Sequence, residues 1–232
     1  MLMRNDHAIS FGSAVNPRDA SAEHFVAGSP SIVYVVDDDR SIRLTLGSLL
    51  LSVGYQVEAF ESVAAFLEFD RPDTTSCLVL DIRLRGENGL VFQRECHRFH
   101  LHMPILFVSG HGDIAMSVQA MKAGAVNFLE KPFRDQDLLD AVHDALARDY
   151  SRRSSEQRLK PLRASYGRLS AREREVLHLV VTGLLNKQIA ATLGVSEDCV
   201  KLHRSQVMKK MGSRSVPDLV RKARDLGITP RC

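Results

Sequence analysis

Short apolar runs alternate with amphipathic stretches from residue 31 to residue 148. The runs at 31–36, 55–60, 77–82, 104–108 and 126–130 have strand length and are rich in Val, Ile, Leu and Phe. Between them, segments such as 42–53, 62–69 and 114–123 space their apolar residues as helices do. Five alternations predict an α/β domain built on a five-stranded, doubly wound parallel sheet, with helices on both faces and right-handed crossovers.

Beyond residue 169 the strand pattern stops. Ser170-Ala171-Arg172-Glu173 fits a capping box, and the helix it opens runs through Val176, Leu177, Val180 and Val181 to Gly183. A second helix is predicted at 187–193, ending at Gly194-Val195. Ser196 caps a third, with Glu197 and Asp198 facing its positive end. A fourth spans 214–226, before Gly227 and Pro230. Residues 186–211 thus have the helix, glycine turn, helix spacing of a helix-turn-helix unit. On the third helix Val200, His203, Val207 and Met211 form an inward stripe, which makes His203 a packing residue. Lys201, Leu202, Ser205 and Lys209 fall on the outer face.

Charge separates the same two regions. Residues 31–147 carry net −7, residues 148–168 net +5 and residues 169–232 net +6. A basic half joined to an acidic one points to a polyanion bound by the second half alone. Lys201, Leu202 and Ser205 could reach base edges in a major groove, while Lys187, Arg204, Lys209, Lys210 and Arg214 suit phosphates. Residues 149–165, with Arg152, Arg153, Ser154, Ser155 and Pro161, read as a basic, polar linker, whose start can also continue the last helix. The predicted layout is therefore a disordered extension at 1–30, an α/β domain at 31–148, the linker, and an all-α domain at 166–232.

No apolar run approaches the ~20 residues of a membrane span, and the N-terminal residues lack a leader-like apolar core. The chain reads as cytoplasmic, with no membrane partner. Cys77, Cys96, Cys199 and Cys232 are scattered without a Cys-x-x-Cys spacing, which argues against a zinc or disulfide framework.

Chemistry collects where the predicted strands end. Asp37 and Asp38 follow the first run, Asp81 the third, Ser109 the fourth and Lys131-Pro132 the fifth. Parallel strands would bring three acids, a hydroxyl and an amine into one pocket at their carboxyl ends, where such sheets bind ligands. Crowded carboxylates repel one another; Mg²⁺ together with a phosphoryl group would satisfy the whole set. Asp81 is then the candidate nucleophile, Asp37 and Asp38 the metal ligands, and Lys131 and Ser109 the phosphoryl contacts. Asp39 could serve as a helix cap. A phosphatase or phosphotransferase is the alternative: Asp37 and Asp39 have the two-residue spacing of an Asp-nucleophile enzyme, but no Ser or Thr stands where that pattern wants one.

In Val36-Asp37-Asp38-Asp39, Leu80-Asp81-Ile82-Arg83-Leu84, Ser109-Gly110-His111-Gly112-Asp113, Met121-Lys122-Ala123-Gly124-Ala125 and Glu130-Lys131-Pro132-Phe133, residues 31–148 resemble the flavodoxin-like receiver domain of two-component response regulators. Leu169–Leu177, Asn186-Lys187-Gln188-Ile189-Ala190, Leu193-Gly194-Val195-Ser196 and Val200-Lys201-Leu202-His203-Arg204 resemble the LuxR-type DNA-binding domain. Together they resemble the NarL/FixJ family. The resemblance implies a transcription factor, not an enzyme, phosphorylated on Asp81 by a sensor histidine kinase. It implies Mg²⁺ on Asp37, Asp38, Asp81 and the Arg83 carbonyl, switch positions at Ser109 and Phe128, and a cis Lys131-Pro132 bond. It further implies homodimerisation on activation, with the fourth output helix as dimer surface, binding to double-stranded promoter DNA, and RNA polymerase as a further partner. Two positions depart from the pattern: Arg85 stands where the family commonly has Pro, and Cys199 where Thr is usual.

Overall fold

A computed structural model describes residues 8–10, 31–110 and 114–228. The chain divides into two compact units, residues 1–153 and 154–232.

In the first unit the five predicted strands form: β2 (Ile32–Val36), β3 (Gln56–Phe60), β4 (Ser76–Asp81), β7 (Ile105–Ser109) and β8 (Asn127–Glu130). They run parallel in the order β3-β2-β4-β7-β8. Both faces of the sheet are covered, which is why the runs read as continuously apolar rather than alternating. Tyr34, Val36, Leu78, Leu80 and Phe107 face one core, with Phe66 of α2 (Val63–Glu68), Phe92 of α3 (Gly89–Glu95) and Ala120 of α4 (Ile114–Lys122). Val33, Val35, Val79, Leu106 and Val108 face the other, with Leu46 and Leu50 of α1 (Arg40–Ser52) and Leu138, Val142 and Leu146 of α5 (Asp135–Gly167).

One feature differs from the sequence reading, and a second resolves an alternative that it left open. Ala8–Ser10 form a further strand, β1, antiparallel to β3, so the predicted disorder of residues 1–30 does not hold for these three; the others lie outside the described residues. β1 covers the otherwise open edge of β3, a place where unpaired backbone invites aggregation. The basic stretch 149–165 does not break the helix before it. α5 continues through it to Gly167, with Pro161 inside. Its Arg, Gln, Leu, Lys and Ala residues are good helix formers, and Leu162 and Tyr166 pack onto the second unit's core.

That second unit contains α6 (Ala171–Val181), α7 (Asn186–Leu193), α8 (Glu197–Lys210) and α9 (Val216–Asp225). The capping box at Ser170 and Glu173 forms in both directions, and Ser196 caps α8. Gly194 ends α7 at φ 65°, a left-handed conformation suited to glycine. Val200, Val207 and Met211 are buried beside Val176, Leu177, Ile189 and Leu219. His203 is only half-buried, at the margin of its expected stripe.

Candidate functional site: an acidic strand-end pocket and a cationic helix

The strand order reverses at β2, which has β3 on one side and β4 on the other. A crevice therefore opens beyond the carboxyl ends of β2 and β4, where Asp37 and Asp81 lie. One carboxylate oxygen from each of Asp37, Asp38 and Asp81 falls within a 4.8 Å cluster. Lys131, just past β8, bridges two of the acids: Nζ lies 2.6 Å from Asp37 Oδ2 and 2.8 Å from Asp81 Oδ2.

Backbone contacts orient the acids. The Asp39 N–H donates to Asp37 Oδ1 at 2.8 Å and the Arg83 N–H to Asp81 Oδ1 at 3.0 Å. Burial pushes the Asp37 carboxyl above its ordinary 3.8, against the opposing pull of Lys131. Burial also opposes the charge on Lys131, but hydrogen bonds and charge from Asp37 and Asp81 outweigh it and raise the amine. The three carboxylates are hard oxygen donors of the kind Mg²⁺ takes.

Other predicted residues stand around this group. Ser109 is fully buried at the end of β7, and its carbonyl accepts from the Lys131 N–H at 2.8 Å. The Lys131-Pro132 bond is cis. Phe128 is half-buried, paired in register with Phe107 and packed against the first core. His111 and Asp113 lie outside the described residues. Asp39 is exposed and turns to α1, its Oδ1 accepting from the Ser41 N–H at 2.7 Å. It caps a helix, which removes the second acid on which the Asp-nucleophile enzyme pattern depended.

Three further residues contribute, of which the sequence reading singles out Arg85 alone, as a departure from the usual Pro. Buried Arg43 donates from Nη1 to the Asp37 carbonyl at 2.5 Å. Arg85 Nε lies 3.0 Å from Asp38 Oδ2. Gly89 brings the start of α3 against Asp81: a Cβ there would sit 2.7 Å from the Asp81 carbonyl oxygen. The Gly89 position also has a local signal, since a glycine right after a helix-capping Asn88 suggests close approach.

In the second unit Lys201, Leu202, Ser205 and Lys209 are exposed on α8, and Lys187 is exposed at the start of α7. Leu202 is 60% exposed, a large apolar side chain on a cationic face. Lys201 pairs with the exposed Asp198 at 2.9 Å. Arg204 is half-buried and donates to Asn186 Oδ1 at 2.6 Å, locking α8 to α7. Lys210 turns to Glu173, 2.6 Å away, and so braces α8 on the capping box of α6.

Comparison with known proteins agrees with both halves. The family described as response regulator receiver domain matches residues 33–143, and that described as bacterial regulatory proteins, luxR family, matches residues 167–223. The chain is 52% identical over 206 residues to nodulation protein W of Bradyrhizobium diazoefficiens, covering 89% of this chain and 91% of that one. It is 41% identical over 198 residues to the transcriptional regulatory protein FixJ of Azorhizobium caulinodans, covering 85% and 94%. Among solved structures, the response regulator StyR superposes with a TM-score of 0.72 at 43% identity, over 84% of this chain and 99% of that one. Among the described residues no helix is long and apolar enough to cross a membrane. The chain belongs to the NarL/FixJ family of two-component response regulators, with a receiver domain followed by a LuxR-type helix-turn-helix DNA-binding domain.

Proposed function

We propose that this protein is a transcription factor switched by phosphorylation of Asp81, with a sensor histidine kinase as the donor. The observation that carries the reading is Lys131 held between Asp37 and Asp81 within a cluster of three carboxylates. In the transfer, an Asp81 carboxylate oxygen attacks phosphorus while the bond from phosphorus to the donor imidazole breaks, its electron pair returning to the nitrogen. Asp37, Asp38, Asp81 and the Arg83 carbonyl would hold Mg²⁺, which when bound neutralises charge on the incoming group. Lys131 supplies a second positive charge to the phosphoryl oxygens, and the Ser109 hydroxyl donates to them. Ser109 and Phe128 then repack, which promotes dimerisation and promoter binding.

On DNA, Lys201, Leu202 and Ser205 reach base edges, while Lys187, Arg204 and Lys209 contact phosphates. A dimer places two copies of α8 in successive major-groove turns. RNA polymerase is the remaining partner such a regulator would meet, and the cytoplasm is where it would act.

The test is incubation with a small phosphodonor and Mg²⁺, followed by phosphate-affinity electrophoresis and a gel-shift assay. One acid-labile phosphoryl group per chain is expected, absent in Asp81→Asn, together with tighter binding to promoter DNA. Multiple turnover on phosphomonoesters, undiminished by Asp81→Asn, would overturn the reading.

A further inference from the structure

The chain from Asp81 to α3 makes a small hairpin, β5 (Arg83–Leu84) with β6 (Glu87–Asn88). Arg85 and Gly86 form its two-residue turn. Gly86 has φ 78°, while Arg85 is not among the positive-φ residues. That is a type II pattern, in which the first central position accommodates Pro and the second takes Gly. The turn therefore has no need of an arginine, and its guanidinium calls for another explanation.

The guanidinium reaches back to the pocket, with Arg85 Nε 3.0 Å from Asp38 Oδ2. Lys131 serves Asp37 and Asp81 in the same way. Three carboxylates and two bound cations leave the cluster one net negative charge. A divalent cation that takes Asp38 must share that carboxylate with the guanidinium or displace it. The Arg85 side chain is 88% exposed, so its release uncovers no apolar surface and breaks no packing.

We propose that Arg85 is a displaceable counter-ion of Asp38, one that competes with the divalent cation and lowers the receiver's affinity for it. This rests on the reading of Asp37, Asp38 and Asp81 as the Mg²⁺ site. Without Arg85 the acids would carry one more net negative charge and would attract a divalent cation more strongly. Exposed ion pairs are individually weak, so removing this one should tighten binding by about two- to fivefold.

Calorimetric titration of the full-length, unphosphorylated protein with Mg²⁺ tests the idea. Arg85→Pro suits the turn, and Arg85→Gln keeps most of the side chain without its charge. Both should bind Mg²⁺ about two- to fivefold more tightly than the parent, with Arg85→Lys nearer the parent. The difference should narrow in high salt, because exposed charges are screened. An arginine that only supported the loop would give the opposite sign, weaker binding in Arg85→Gln. Unchanged or weaker affinity in both neutral variants, with Mg²⁺ still bound by the parent and lost in Asp38→Asn, would overturn this proposal alone. A parent that binds no Mg²⁺, or an Asp38→Asn variant that binds it normally, would overturn the metal-site reading and this proposal with it.

Discussion

The ammonium of Lys131 lies 2.8 Å from Asp81 Oδ2 and so ties the end of β8 to the end of β4, with β7 between them. The same nitrogen holds Asp37 at 2.6 Å, so one cation offsets two buried anions. Lys131→Ala would leave these carboxylates facing each other without compensation. A loss of about 1–3 kcal/mol is expected, partly recovered on adding Mg²⁺. Urea unfolding with and without Mg²⁺ measures both; equal stability of the variant and the parent in the absence of metal would contradict the account.

Gly89 explains how α3 can begin directly against the strand that Asp81 ends. An added Cβ would approach the Asp81 carbonyl oxygen to 2.7 Å and Phe107 to 3.1 Å, and the first of these is backbone that cannot rotate away. Gly89→Ala should cost about 1–3 kcal/mol and should also slow labelling of Asp81. Gly86→Ala meets nothing within 4 Å but must adopt φ 78°, a strain of about 1–2 kcal/mol, and should leave labelling nearly intact. Equal labelling rates in the two variants would refute the distinction.

At the other end of β4, Asp149 of α5 is fully buried and accepts from the Ser76 N–H at 3.0 Å. Arg152 and Arg153 complete its shell, at 2.6 and 2.8 Å. Asp149→Ala would strand the buried Ser76 N–H and take one carboxylate partner from each of two arginines that are 30% and 21% exposed, so about 1–3 kcal/mol is expected. Because Ser76 begins the strand that Asp81 ends, phosphorylation of the folded variant should survive. A denaturation midpoint within error of the parent would dismiss the contact as decoration.

Hydrogen bonds from Lys210 and from the Ser170 N–H hold the Glu173 carboxyl below its ordinary 4.5. A depressed folded pKa contributes stability above the unfolded value, and that contribution disappears as pH falls through the folded value. Glu173→Gln should therefore be less stable than the parent at neutral pH, and the difference should close as pH drops below 4.5. Thermal melts of both proteins across that range decide it, since a gap independent of pH would rule out the carboxylate as its source.

The exposed lysines of the helix-turn-helix should separate by role. Lys201→Ala should lower specific binding by about tenfold and relax base preference at one position. Lys187→Ala should weaken specific and random DNA alike and flatten the salt dependence. Equal losses on both kinds of DNA for Lys201→Ala would move that residue to the phosphate class.

Local pattern alone determined most of the architecture. Five two-sided apolar runs can be buried only as a covered parallel sheet, and parallel connection puts every strand's carboxyl end on one edge. That edge collects Asp37, Asp38, Asp81, Ser109 and Lys131 by chain pattern alone. Caps such as Ser170, Glu173 and Ser196 were equally legible, because they act within a single turn of helix.

Contacts between residues distant in sequence were decided by tertiary structure. Arg85 meets Asp38 across 47 positions and Asp149 meets Ser76 across 73; neither pairing leaves a periodic trace along the chain. The edge strand Ala8–Ser10 is too short to announce itself and exists through its pairing with β3. Apolar periodicity fades after residue 149 and leaves the end of α5 open, while helix propensity and the packing of Leu162 and Tyr166 keep the basic stretch wound. Periodicity records which face of an element is buried; it does not record which distant charge will stand opposite.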